Sequence, residues 1–212
     1  MKKLLLLLIT SLAFSTVTDI DGNVYETVII GDQLWMAENL KVTHYRNGDE
    51  IPTGYSNDDW SNLFTGAYAV YDDDPSNAEI YGNLYSWYSI DLETGVCPEG
   101  WHVPTDDEYI LLTDYLGGND IAGGKMKEAG LEHWDSPNTG ATNESGFSGL
   151  PGGYRNTSGA YVDMSSFGVF RSSSEANSSQ AWVHSLWYED AIAYRNFSMA
   201  KNSGNSVRCV GD

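Results

Sequence analysis

The sequence is short of positive charge, of cysteine and of long apolar runs, and each shortage excludes something. Lys and Arg total 11 against 30 Asp and Glu, a formal net charge of −19. A field of that sign opposes contact with phosphate backbones and anionic bilayers, so nucleic acid is not an expected partner. Beyond the first dozen residues nothing approaches the roughly 20 consecutive apolar residues of a transmembrane helix. The four histidines, His44, His102, His133 and His184, lie far apart without an H-E-x-x-H or similar spacing, which leaves zinc without support. A G-x-S-x-G elbow and a phosphate-binding glycine loop are missing. With 30 acids in the chain, no carboxylate pair stands out as a glycosidase dyad.

What is present begins with an export signal. Lys2 and Lys3, the apolar run Leu4 to Leu12 and the small-x-small triplet Ala13-Phe14-Ser15 read as a signal peptide over residues 1–15. No cysteine follows the run, so an acylated anchor is not expected. Residues 16–212 carry Gly, Ser, Asn and aromatics throughout, without a Pro/Ser-rich seam or charge block, and read as one domain. In an oxidising, exported setting Cys97 and Cys209 read as a disulfide rather than two free thiols.

Local patterning predicts a mixture of elements. Val24 to Ile30 and Gln33 to Met36 flank Gly31-Asp32 and read as a hairpin, and residues 41–80 as mostly loop. A helix is expected over Asp106 to Leu116, with Thr105 as N-cap, Glu108 completing a capping box and Gly117-Gly118 as the stop. A weaker helix is expected over Ile121 to Ala129, starting late because of Gly123-Gly124. Residues 139–179, rich in Gly and Ser yet also aromatic, read as ordered loops. Strands follow near 181–186, 191–197 and 206–210. The predicted class is α+β.

Four motifs then carry a resemblance. Gly82-Asn83-Leu84-Tyr85-Ser86-Trp87-Tyr88, Cys97-Pro98-Glu99-Gly100-Trp101-His102-Val103-Pro104-Thr105-Asp106, Gly146-Phe147-Ser148-Gly149-Leu150-Pro151-Gly152-Gly153-Tyr154-Arg155 and Ser206-Val207-Arg208-Cys209-Val210 resemble, in order, the Fibrobacter succinogenes major paralogous domain. The resemblance implies a C-type-lectin-like fold related to the formylglycine-generating-enzyme branch, and a role at the bacterial surface. It also implies that the stretch Phe170 to Asn205 sits where a retroelement-diversified segment would sit in relatives of that fold.

The candidate ligand-binding residues are Arg171, Glu175, Trp187, Tyr188, Tyr194, Arg195 and Asn196. Trp and Tyr offer flat, rigid contact area, and Arg and Asn directional hydrogen bonds, a composition that suits an extracellular glycan or surface protein. Trp182, alternating with His184 and Leu186, is expected in the core. Asp72-Asp73-Asp74 with Asn77 and Glu79 offers oxygen ligands for calcium, but fits no calcium-loop spacing, and a solvated acidic turn is the plainer reading. The sugar-binding triplets Glu-Pro-Asn and Gln-Pro-Asp are absent. The expected function is therefore non-enzymatic ligand binding outside the cell, secreted or at the cell surface. The alternatives are a structural envelope component and an oxidase using Cys97 and Cys209.

Overall fold

The computed structural model of the protein describes residues 15–90, 93–195 and 198–212. The stretch expected as an export signal, apart from Ser15, and the expected ligand residue Asn196 lie outside the described residues. In chain order the elements are β1 (Ser15–Thr18), β2 (Val24–Ile30), β3 (Gln33–Met36), α1 (Asn57–Ser61), β4 (Tyr68–Ala69), α2 (Pro75–Tyr81), β5 (Leu84–Tyr85), α3 (Trp87–Ile90) and β6 (Trp101–His102). They continue as α4 (Asp106–Tyr115), α5 (Asn119–Met126), β7 (Gly152–Arg155), β8 (Tyr161–Met164), β9 (Phe167–Asn177) and β10 (Gln180–Trp187). The last are β11 (Ala193–Tyr194), β12 (Ser198–Ala200), β13 (Asn205–Ser206) and β14 (Val210–Gly211).

One sheet runs β1-β2-β3-β14-β6. The other runs β11-β10-β9-β13-β5-β4, with β12 added to β10 and the β7/β8 hairpin joined to β9. These two curled sheets make the chain mostly β, which corrects the expected α+β, C-type-lectin-like arrangement of short strands and long loops. The longest helix has 10 residues and the longest strand, β9, has 11.

The correction has a local cause. Residues 139–179 look too rich in Gly and Ser for regular structure, yet they contain β7, β8 and β9. β9 pairs with β10 on one side and with β7 and β13 on the other, and residues 167–172 are all buried. Strand formation here follows from pairing and burial rather than residue preference. At Gly168 an added Cβ would stand 2.7 Å from the Leu150 carbonyl oxygen, so the glycine is what admits the neighbouring chain.

Several expectations hold. The hairpin has the expected limits and pairs Val28 with Trp35. Helix α4 carries the full capping box, with the Thr105 side chain accepting from Glu108 N and Glu108 reaching back to Thr105 N. Helix α5 starts earlier than expected, at Asn119. Gly123 and Gly124 sit inside it because they pack on backbone: an added Cβ would meet the Ile192 oxygen at 2.3 Å and the Gly140 oxygen at 2.4 Å. The segment expected as loop contains α1 and α2. Asp74, expected in a solvated acidic turn, is instead the N-cap of α2, with Pro75 as the first helical residue. No helix among the described residues is long and apolar enough to cross a membrane.

Two apolar clusters form the centre. One gathers Trp35, Tyr109, Phe147, Phe170 and Leu186 between α4 and the sheets, with Trp35 5.1 Å from Tyr109 and 5.8 Å from Phe147 between ring centres. The other contains Tyr25, Tyr85, Trp87 and the disulfide Cys97–Cys209. The disulfide spans 112 positions, and the Cys209 carbonyl accepts from Met36 N, so the bond ties the chain before α4 to the segment that runs beside β3 in the middle of the first sheet. Chain-entropy arithmetic puts the effect of such a closure near 4 to 5 kcal/mol. Reduction of the bond, or Cys97→Ser with Cys209→Ser, should lower the unfolding free energy by about that amount in urea titrations. A difference of under ~1 kcal/mol would contradict the disulfide's structural role.

Candidate ligand-binding surface

Strands β9 and β10 bring the C-terminal aromatics together. Phe167 pairs across the sheet with Trp187, and Ser185, two residues back on the same face, pairs with Tyr194 of β11. Phe167 and Trp187 lie edge to face with ring centres 5.1 Å apart, and Tyr188 lies 5.7 Å beyond Trp187. With Glu189 and Asp190, the Phe167, Trp187 and Tyr194 side chains line an open cavity of about 320 Å³.

Each polar handle on this shelf is tied to a carboxylate. Trp187 Nε1 and the Tyr188 hydroxyl donate to the two oxygens of Glu189 at 3.2 and 3.0 Å. The Tyr194 hydroxyl donates to Asp190 Oδ2 at 2.6 Å, and Ile192 N to Asp190 Oδ1 at 2.9 Å. Accepting by these carboxylates raises the pKa of both phenols. The acceptors are thus fixed beside the rings before any ligand arrives.

The turn that carries the shelf is fastened from below by Lys127, which is fully buried. Its ammonium donates to the carbonyl oxygens of Thr139, Trp187 and Asp190 at 3.0, 2.9 and 2.7 Å. Burial lowers its pKa to about 8, which still leaves most of it charged at neutral pH.

The other expected ligand residues lie elsewhere. Arg171 is fully buried and donates to the carbonyls of Ala181, Met199, Ala200 and Ser203 and to the Ser203 hydroxyl, so it braces the frame. Glu175 pairs with Lys201, whose ammonium lies 4.0 Å from the centre of the Trp87 ring. Arg195 grips Asp106 with Nε and Nη2 and lies 4.7 Å from the Trp182 ring centre. Trp182 itself is only partly buried, because register shifts on either side of Ala181 break the alternation that would have sent it inward. Phe167, Glu189, Asp190 and Lys127 join the site without having been singled out. Glu189 and Asp190 follow Trp187-Tyr188 directly, and acids adjacent to aromatics were the available signal.

The acidic run expected as a calcium candidate is otherwise engaged. Asp74 caps α2, Asp73 accepts from the Tyr161 hydroxyl, Glu79 pairs with Lys41, and Asn77 donates to the Tyr71 carbonyl.

A second polar cluster closes the start of α4. Asp106, the first residue of the helix, accepts from His184 Nε2 at 2.9 Å and from Arg195, and His184 stacks on Tyr109 with ring centres 4.4 Å apart. Burial alone would raise the Asp106 pKa, but hydrogen bonds from His184 and Arg195 hold it at about 2. For His184 burial dominates and pushes the pKa down despite the carboxylate. His102, by contrast, bridges Asp212 and Glu108 at 2.7 and 2.8 Å, and these bonds outweigh partial burial and raise its pKa.

A disulfide-closed, β-rich domain that displays an aromatic shelf on its second sheet is the class these features define. The chain belongs to the Fibrobacter succinogenes major domain family, whose family model matches residues 28–211. No curated protein and no solved structure matches the chain.

The two histidines should titrate on opposite sides of the ordinary value of 6.5. His184, lowered in the folded state, costs stability as pH falls below 6.5, because the unfolded chain takes up the proton first. His102, raised, contributes stability below 6.5 that is lost as pH rises through its folded value. Asp106 adds stability that is present above 3.8 and lost as pH falls toward about 2. Imidazole NMR titration should place the His184 midpoint below 6.5 and the His102 midpoint above it. Two superimposed curves centred at 6.5 would contradict the assigned environments.

Proposed function

We propose that the protein is an exported binding module that holds an extracellular glycan, at equilibrium and without bond-making, on the Phe167, Trp187, Tyr188 and Tyr194 shelf. The observation that carries this reading is the pairing of flat rings with fixed carboxylate acceptors around an open cavity of about 320 Å³. Sugar rings present an apolar C–H face that packs on an aromatic plane and hydroxyls that donate to carboxylates. Glu189 and Asp190 each keep acceptor capacity beyond the bonds they already make. The net charge of −19 favours neutral or amino sugars over sulfated or phosphorylated ones.

Export rests on the Lys2 to Ser15 pattern and display outside the cell on the disulfide. Were the C-terminal segment diversified by a retroelement, the positions free to vary would be Trp187, Tyr188, Glu189 and Tyr194. Arg171, His184 and Arg195 are committed to the frame. The oxidase alternative needs a reactive thiol, and both cysteines lie in a buried disulfide. A structural envelope role remains the second reading, separated from the first by whether a discrete ligand saturates the protein.

Glycan-array and calorimetric titration should give saturable binding by the mature chain, with Trp187→Ala weakening it about 10-fold or more, as loss of a central aromatic does. Tyr194→Phe, which removes only the hydroxyl holding Asp190, should weaken it less. No binding to any glycan, or equal binding by wild type and Trp187→Ala, would overturn the assignment.

A further inference from the structure

A second site lies away from the shelf, in the turn after α5. Residues 128–134 are clamped at three points. Glu128 N donates to the Gly149 carbonyl at 3.0 Å, the buried Trp134 Nε1 donates to the same carbonyl at 3.0 Å, and Asn138 Nδ2 donates to the carbonyls of Glu128 and Gly130 at 2.9 and 2.7 Å. On this clamped turn Glu128, Glu132 and His133 each place one ligand atom within 4.8 Å of the others. They are the one His/Cys/Asp/Glu group so arranged among the described residues.

We propose that Glu128, Glu132 and His133 form a binding site for a divalent transition-metal ion of the Zn²⁺, Co²⁺ and Mn²⁺ class. His133 Nδ1 stands 2.9 Å from both carboxylate oxygens of Glu128. Two ligand atoms at about 2.1 Å from one ion are separated by about 3.0 Å at right angles and about 3.4 Å at the tetrahedral angle, so these two groups stand within a few tenths of an ångström of the spacing of adjacent ligands. The Glu128 and His133 side chains are 23% and 20% exposed, shielded enough to hold position. The Tyr81 ring stands edge-on to His133 at 5.7 Å and limits its rotation. Glu132 is exposed and free to swing inward as the third ligand.

The donor set decides the class of ion. One imidazole nitrogen with two carboxylates suits borderline divalent ions, whereas Ca²⁺ and Mg²⁺ take oxygen ligands throughout. Three protein ligands leave further coordination positions to water or to a small anionic ligand. Glu128 also lines a cleft of about 150 Å³ with Asn39, Lys41, Glu79 and Ser148, which supplies an entry path. The negative charge of the whole chain raises the local concentration of cations.

The test is titration of the purified, disulfide-intact chain with Co²⁺, read by visible absorption, and with Zn²⁺, read by calorimetry. One Co²⁺ per chain with ligand-field bands that Zn²⁺ abolishes is expected. Glu132→Gln and His133→Gln should each weaken binding at least 10-fold. Because Glu132 is exposed, Glu132→Gln should leave the circular dichroism unchanged, and it decides the matter if His133→Gln does not fold. Absence of Co²⁺ bands, several weak equivalents per chain, or unaltered affinity in a folded Glu132→Gln would overturn the proposal.

Discussion

Among the described residues four buried cations, Lys127, Arg155, Arg171 and Arg208, bond to carbonyls and amides rather than to carboxylates, and they hold the loops where regular structure is short. Arg155 donates to the carbonyls of Tyr55 and Gly159 and to the Asn57 side chain, 4.3 Å from the centre of the Trp60 ring. Arg208 donates to the Asn39 side chain and to the carbonyls of Phe147 and Ser148, 4.1 Å from the centre of the Phe147 ring. Arg171 and Lys127 do the same for residues 181–203 and for Thr139 with the 187–190 turn. Burying a charge costs several kcal/mol, and carbonyl dipoles, with ring faces at Lys127, Arg155 and Arg208, offset it, while Arg171 Nε is left without a hydrogen-bond partner. Burial pulls Arg171 and Arg208 down to about 9, which leaves both charged at neutral pH. Carbonyls that in a longer helix or strand would find backbone partners find these donors instead.

The same economy of positive charge shapes the surface. Of 11 Lys and Arg, five are buried among the described residues, these four and Lys201, so the exterior is more acidic than the composition alone implies. The shelf inherits its geometry from this interior. Lys127 holds the backbone of Trp187 and Asp190, and the carboxylates of that turn orient the Trp and Tyr handles. Lys127 is followed directly by Glu128, so one short stretch anchors the shelf on one side and supplies a candidate metal ligand on the other. The two sites are separate surfaces with a common support.

Legibility in the sequence followed the range of the interactions. The β2/β3 hairpin and the α4 capping box depend on residues a few positions apart, and both were readable with nearly correct limits. Strand β9 was not, because its pairing with β10, β7 and β13 overrides the preferences of its Gly and Ser residues. Trp187, Tyr188 and Tyr194 were legible as candidates because aromatics next to acids and turn residues stand out locally, and all three are half-buried. Arg171 and Arg195 were grouped with them because a guanidinium in a strand looks like surface, whereas their partners lie up to 89 positions away in sequence. The Glu128, Glu132 and His133 cluster was not legible because its one histidine has no second histidine at metal-ligand spacing, and the fold brings Glu128 to it across the clamped turn.

This loop-rich β fold depends on buried cations bonded mainly to backbone carbonyls, a dependence open to experiment. Its most direct test replaces Arg171 and Arg208 singly with Met, which keeps an apolar stem and removes the donors, and follows urea unfolding with amide hydrogen exchange. The account predicts a loss of about 3 kcal/mol or more in each variant, with protection falling first in residues 199–203 for Arg171→Met and 147–148 for Arg208→Met. Variants as stable as the wild type or more so would contradict it, since hydrophobic replacement would then serve the core as well as the charge does.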